Sequence, residues 1–156
     1  MRVMVVGSGG REHALAARLR ASPQVSDLIC APGNGGTARI ARNLPVNVED
    51  VNAIVQLART ELVDFVVVGP EAPLVAGVVD ALTEAGIPAF GPKRAGAQLE
   101  GSKAYSKEFM RRHGVPTAEF AVFEELAAAR SFVEQSGRAW VVKADGLAAG
   151  KGVIVA

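Results

Sequence analysis

The chain has 156 residues, 49% hydrophobic and 21% charged, enough for one globular domain and the start of another without a disulfide or metal staple. Lys and Arg number 17 against 16 Asp and Glu, a net +1, so the chain has neither the basic excess of a general nucleic-acid binder nor an acidic tail. The single cysteine, Cys30, excludes an internal disulfide and a cysteine-rich zinc site, and no apolar run approaches the roughly 20 residues that span a bilayer. The expectation is a cytoplasmic protein with no nucleic-acid or membrane partner.

Val3–Val6 is a β-branched run ending at Gly7, the pattern of a strand buried on both faces. Arg11–Arg20 follows as a helix, with Leu15 and Leu19 four apart on one face. Asp27–Ala31 reads as a second strand, closed by the turn formers Pro32-Gly33-Asn34-Gly35-Gly36, and Val46–Val48 as a third. Val51, Ile54, Val55, Ala58 and Leu62 keep helical spacing, and Phe65–Val68 is a buried strand ending in Gly69-Pro70. Val75, Val78, Val79 and Leu82 repeat the helical spacing up to a capping Gly86, and Ala89–Pro92 is a short fifth strand. This β-α alternation predicts a parallel sheet with ligands at the carboxyl ends of its strands. Three of those ends carry glycine.

After Gly101 the texture changes. Ser102–His113 is predicted helical, Gly114–Thr117 a break, Phe120–Phe123 a strand and Glu124–Gln135 a helix. Trp140–Ala144 and Val153–Val155 are strands around the loop Asp145–Gly152. The boundary is placed near Gly114, giving an α/β domain over 1–114 and a second portion over 115–156.

Three motifs carry chemistry. Gly7-Ser8-Gly9-Gly10-Arg11 joins a strand to a helix, and its N–H groups and Arg11 suit an anion; the same residues also suit a tight packing turn. The motif departs from a dinucleotide fingerprint: Glu12 stands at the third glycine position, and the second strand ends in Cys30-Ala31-Pro32 without an acid. Gly69-Pro70-Glu71 holds a carboxylate at the ligand edge, suited to a sugar hydroxyl, an amine or the dipole of the next helix. Lys143 and the loop Gly146–Gly152, with Lys151, read as a strand-loop-strand flap able to close over polyphosphate; the glycine spacing and the following strand differ from a Walker loop. Asp145, Gly146, Gly150 and Gly152 are not expected to anchor this loop in a core, so Asp145–Gly152 is expected to be the most mobile segment without nucleotide. Lys103 stands out for its place at a helix start, after Gly101-Ser102.

Together these segments resemble the phosphoribosylamine–glycine ligase (glycinamide ribonucleotide synthetase) family of the ATP-grasp superfamily. The stretches that carry the likeness are Val6–Ala14, Ala31–Thr37, Val68–Leu74, Gln98–Lys103 and Lys143–Val153. The resemblance implies a Rossmann-like N-terminal (pre-ATP-grasp) domain followed by the beginning of an ATP-grasp domain. It implies substrate binding by Gly7, Gly9, Gly10, Arg11, Glu12, Asn34, Gly69, Pro70 and Glu71, and ATP binding by Lys103, Lys143, Gly146, Gly150, Lys151 and Gly152. The implied reaction joins glycine to phosphoribosylamine with ATP, through a glycyl phosphate, in purine synthesis. No confident catalytic residue and no metal ligand is expected within this chain, Mg²⁺ being held beyond Ala156. The 156 residues alone are expected to be inactive, with the remainder of the same enzyme as a further partner. Two other classes stand beside this reading, a dinucleotide-dependent oxidoreductase domain and a non-catalytic binding module.

Overall fold

The computed structural model describes residues 1–148 and 151–155. It consists of two compact units, Met1–Ala97 and Gln98–Ala156. In the first, β1 (Arg2–Gly7), β2 (Asp27–Pro32), β3 (Arg42–Asn43), β4 (Phe65–Val68) and β5 (Ala89–Phe90) form a parallel sheet in the order β3-β2-β1-β4-β5. This is the predicted α/β architecture. The strand order reverses between β1 and β4, which creates a crevice beyond their carboxyl ends.

The apolar strand runs are explained by burial on both faces. Met4, Val6, Ile29, Ala31, Val66 and Val68 share one core with Ile54, Val55 and Ala58 of α2 (Val51–Thr60). Leu74 of α3 (Glu71–Ala76) and Val78, Val79 and Leu82 of α4 (Val78–Glu84) complete that layer. The alternate residues Val3, Val5, Leu28, Cys30 and Val67 face the other way, against Ala16 of α1 (Gly10–Arg20). The period-2 alternation of each strand therefore feeds two separate cores.

Several elements differ from the sequence reading. The third strand is Arg42–Asn43, not Val46–Val48; it pairs with Ile29 and Cys30, whereas Val46 and Val48 pack as loop residues on the core. Helix α2 stops before Leu62, which adopts a left-handed φ of 52° and is 76% exposed. The helical spacing through Val75–Leu82 is broken at Gly77 (φ 94°), where α3 ends and α4 begins. A helix not anticipated, α5 (Arg94–Gly101), follows β5, its Arg94 N–H donating to Asp80 Oδ2 at 2.8 Å.

The second unit contains α6 (Lys103–Arg112), α7 (Leu126–Ser136) and an antiparallel hairpin of β6 (Val141–Lys143) with β7 (Val153–Val155). Phe120–Phe123 forms no strand; the Phe123 ring packs tilted against Phe132 at 5.2 Å and Phe132 against Trp140 at 5.1 Å, an aromatic row in place of backbone pairing. The division between units falls at Ala97/Gln98, whereas the sequence places it near Gly114. That division lies within α5, and the start of α6 bonds to Asp145 of the hairpin loop inside the second unit.

Candidate functional site

The crevice at the sheet edge is built from three loops. Gly7 ends β1 with φ 125°, a conformation that favours glycine, and the chain turns at once into the extended N-cap Gly9 of α1. Gly33 N–H donates to Gly7 O at 3.1 Å, tying the loop after β2 to the loop after β1. Asn34 extends this tie. Its Nδ2 donates to Ser8 O at 2.9 Å, while its Oδ1 accepts from the Gly36 and Thr37 N–H groups at 2.8 and 3.0 Å. Its side chain is thus a brace between two loops. The buried Thr37 hydroxyl accepts from Asn34 N–H at 2.7 Å and sits 2.9 Å from Asn43 Oδ1, so β3 is fastened to the same assembly.

Glu12 lies at the centre. It is only 4% exposed, unusual for a carboxylate. Its Oε2 accepts from Gly9 N–H at 2.7 Å and its Oε1 from Arg11 Nε at 3.1 Å. A Cβ at Gly7, Gly9 or Gly69 would run into the Glu12 side chain. These glycines therefore leave room for a carboxylate belonging to the protein. The acid that breaks the dinucleotide fingerprint is the group the glycines accommodate.

Arg11 projects from the first turn of α1 and spans two carboxylates. Its NH1 and NH2 donate to Glu71 Oε1 at 3.2 and 3.3 Å, in addition to the Glu12 contact. These two acids, Glu71 first, hold the guanidinium more firmly charged. Glu71 opens α3, directly after Pro70. Its own backbone N–H, then Arg11, hold its carboxyl below the usual carboxylate range, against the desolvation of partial burial. Gly7, Gly9, Gly10, Arg11, Glu12, Asn34, Gly69, Pro70 and Glu71 are thus brought to one edge, where a basic fork and an acidic group stand side by side. Ser8, Gly9 and Gly10 are exposed, and a Cβ on Gly10 would meet nothing.

In the second unit, Lys103 begins α6 and its Nζ donates to Gly146 O at 2.7 Å. Lys143 ends β6 and Lys151 stands in the loop, both exposed. Gly146 (φ 83°) and Gly152 lie in the same loop; Gly150 lies outside the described residues. The stem of the loop is held by side-chain bonds at Asp145. Asp145 Oδ1 accepts from the Lys103 and Ala104 N–H groups at 2.6 and 3.2 Å, and Oδ2 accepts from Ser102 Oγ at 2.9 Å. Desolvation opposes the charge on Asp145, but bonds from Ser102, Ala104, Gly146 and Lys103 outweigh it and hold the carboxyl below its usual range. Sequence reasoning missed Asp145 because its donors stand about 42 residues away; Ser102, which caps α6 by accepting from Tyr105 N–H at 3.0 Å, was findable as a serine before a helical run. Among the described residues no group of three His, Cys, Asp or Glu side chains gathers as a metal site, and no helix is long and apolar enough to cross a membrane.

Two family models match the chain in succession. The N domain of phosphoribosylglycinamide synthetase matches residues 1–100. The ATP-grasp (A) domain of the same enzyme matches residues 101–156. The chain belongs to the phosphoribosylglycinamide synthetase family. A phosphoribosylamine–glycine ligase of Allochromatium vinosum is 56% identical over all of this chain, and one of Xylella fastidiosa is 58% identical. The chain spans 37% and 36% of the lengths of these two curated relatives. The crystal structure of phosphoribosylamine–glycine ligase from Thermotoga maritima superposes with a TM-score of 0.75 at 34% identity, over 99% of this chain and 36% of that one. The fold extends further: the biotin carboxylase domain of a Hydrogenobacter thermophilus 2-oxoglutarate carboxylase superposes with a TM-score of 0.78 at 22% identity, over 99% of this chain and 37% of that one. The phosphoribosylglycinamide synthetase models divide at residue 100/101, inside the last turn of α5 and three residues from the structural division.

Proposed function

We propose that this chain binds 5-phosphoribosylamine at the carboxyl edge of its five-stranded sheet and supplies the first ATP-contacting elements of a ligase. In that reaction glycine's carboxylate takes the γ-phosphoryl group of ATP, releasing ADP. The sugar's amine then attacks the glycyl phosphate and expels phosphate, giving glycinamide ribonucleotide, a step of purine synthesis. The observation that carries the reading is the convergence of Arg11 and Glu71, 3.2 Å apart, on the turn Gly7–Arg11. The exposed turn residues Ser8 and Gly10 and a guanidinium suit the 5-phosphate. The carboxylate of Glu71 suits the amine or a ribose hydroxyl. In this reading Asn34 and Glu12 shape the pocket, with Gly69 and Pro70 setting the chain direction into α3.

ATP as co-substrate is supported by the match of residues 101–156 to the ATP-grasp (A) domain. Lys103, Lys143 and Lys151 are proposed as its phosphate partners, with the backbone of Gly146, Gly150 and Gly152 cradling the same oxygens. Mg²⁺ would neutralise charge between polyphosphate and the acyl acceptor; the described residues gather no ligand set for it, and none is assigned to it. A cytoplasmic setting accompanies the reading. The dinucleotide alternative is disfavoured by Glu12, whose carboxylate already occupies the turn.

Titration of the chain with ribose 5-phosphate, followed by backbone amide NMR shifts, tests the site. Shifts should concentrate at Gly9–Arg11 and Glu71. Arg11→Ala should weaken binding about tenfold, the lower end for a lost charge-assisted bond. Shifts confined to other parts of the chain, or equal affinity in the variant, would remove the assignment.

A further inference from the structure

We infer that Asp145 is a positioning residue for the proposed nucleotide site, clasping the stem of the glycine-rich loop to the N-terminus of α6 and thereby fixing where Lys103 Nζ lies. The inference rests on the reading of Lys103 and the loop as an ATP site. Its basis is a reciprocal arrangement. The Asp145 carboxylate receives the backbone N–H of Lys103 at 2.6 Å, while the Lys103 side chain donates to the backbone carbonyl of Gly146 at 2.7 Å. Each partner thus uses its side chain on the other's main chain. Two further donors, Ser102 Oγ at 2.9 Å and Ala104 N–H at 3.2 Å, bond the same carboxylate. On the loop side, Ala144 N–H donates to Gly152 O at 2.8 Å, closing the hairpin directly below the clasp.

The chemistry needed at Asp145 is hydrogen-bond acceptance in a fixed geometry. Four successive facts support this. The carboxylate sits at a helix start, where N–H groups lack intrahelical partners. It accepts from two of them. Its second oxygen takes a hydroxyl that itself caps the helix. No basic side chain pairs with Asp145 by an ion contact among the described residues. An asparagine can reproduce this set: its Oδ1 accepts from Lys103 and Ala104, and its Nδ2 donates to the Ser102 hydroxyl, which has a free lone pair. An alanine cannot.

Three forms of the chain, wild type, Asp145→Asn and Asp145→Ala, would be compared by amide hydrogen exchange and by ATP titration. In Asp145→Ala the Lys103, Ala104 and Ala144 amides should exchange at least about tenfold faster, with amides of the five-stranded sheet unchanged. ATP affinity should fall about tenfold. Asp145→Asn should restore both within about twofold. Unaltered exchange at these amides in Asp145→Ala would overturn the clasp. Equal loss of ATP affinity in the Asn and Ala variants would overturn the positioning role, because it would mean that the charge itself acts on the ligand. If wild type fails to bind ATP, the nucleotide reading falls and the positioning role with it, whereas the exchange data still decide whether the clasp exists.

Discussion

The side chain that organises the sheet edge is Glu12, and its energetics are those of close packing. Gly69 has no left-handed backbone requirement, yet a methyl group there would overlap the Glu12 carboxylate. Gly69→Ala is therefore expected to destabilise the first unit by about 1–3 kcal/mol, the range for overpacking a filled site. Glu12→Ala, which empties the site, should remove most of that penalty. A double-mutant cycle on urea midpoints should show coupling of about 1 kcal/mol or more. Additive effects would mean that the overlap is relieved elsewhere. The sequence showed the glycines and the misplaced glutamate as separate oddities. It could not show that one fills the space left by the others, since Gly69 stands 57 residues from Glu12 and meets it only through the pairing of β1 with β4.

At the scale of elements, α3 illustrates how a short helix depends on its first residue. Glu71 begins it, receives its own N–H and pairs with Arg11. An exposed pair of this kind contributes little at neutral pH, but it leaves a sign. The folded-state carboxyl is held below its unfolded value of about 4.3. Its stabilisation is present above that value and lost as pH falls through the folded one. Wild type should therefore lose urea stability more steeply than Glu71→Gln between about pH 5 and pH 3. Parallel acid limbs for the two proteins would contradict the pairing. Legibility was good for elements fixed by local pattern. β1, β2, β4 and the hairpin strands Val141–Lys143 and Val153–Val155 stand where apolar runs predict them. It failed where tertiary contacts decide. Leu62 keeps the helical spacing yet lies beyond the helix end, and Phe120–Phe123 has strand composition but spends Phe123 on Phe132. Arg42–Asn43 forms a strand because β2 offers an edge, which composition does not record.

Across the described residues, burial is unevenly distributed. Every residue of the two buried clusters lies at or before Ala97. The described residues of the second unit are half-buried or exposed, and its sheet is a single two-stranded hairpin, a form that is marginal alone. Native-state hydrogen exchange should rank the amides of β1, β2 and β4 slowest, exchanging through global unfolding. Those of Gln98–Val155 should exchange through local openings at much lower free energy. Uniform protection across both units would contradict this ranking. Arg11 and Glu71 belong to the unit that holds the two buried clusters, at the starts of α1 and α3, and Lys103, Lys143 and Lys151 to the less buried one.

The glutamate enclosed by glycines also limits which substitutions this sheet edge can accept. Gly7, Gly9, Gly69 and Glu12 share one space, so a larger side chain at any of the three glycines meets the acid. A lineage that began to enlarge one of the glycines would first have to shrink the acid, and shrinking the acid would strand the Gly9 N–H and release Arg11 from one of its two tethers. Replacing the acid and the glycines one at a time therefore passes through overlapping or unpaired intermediates.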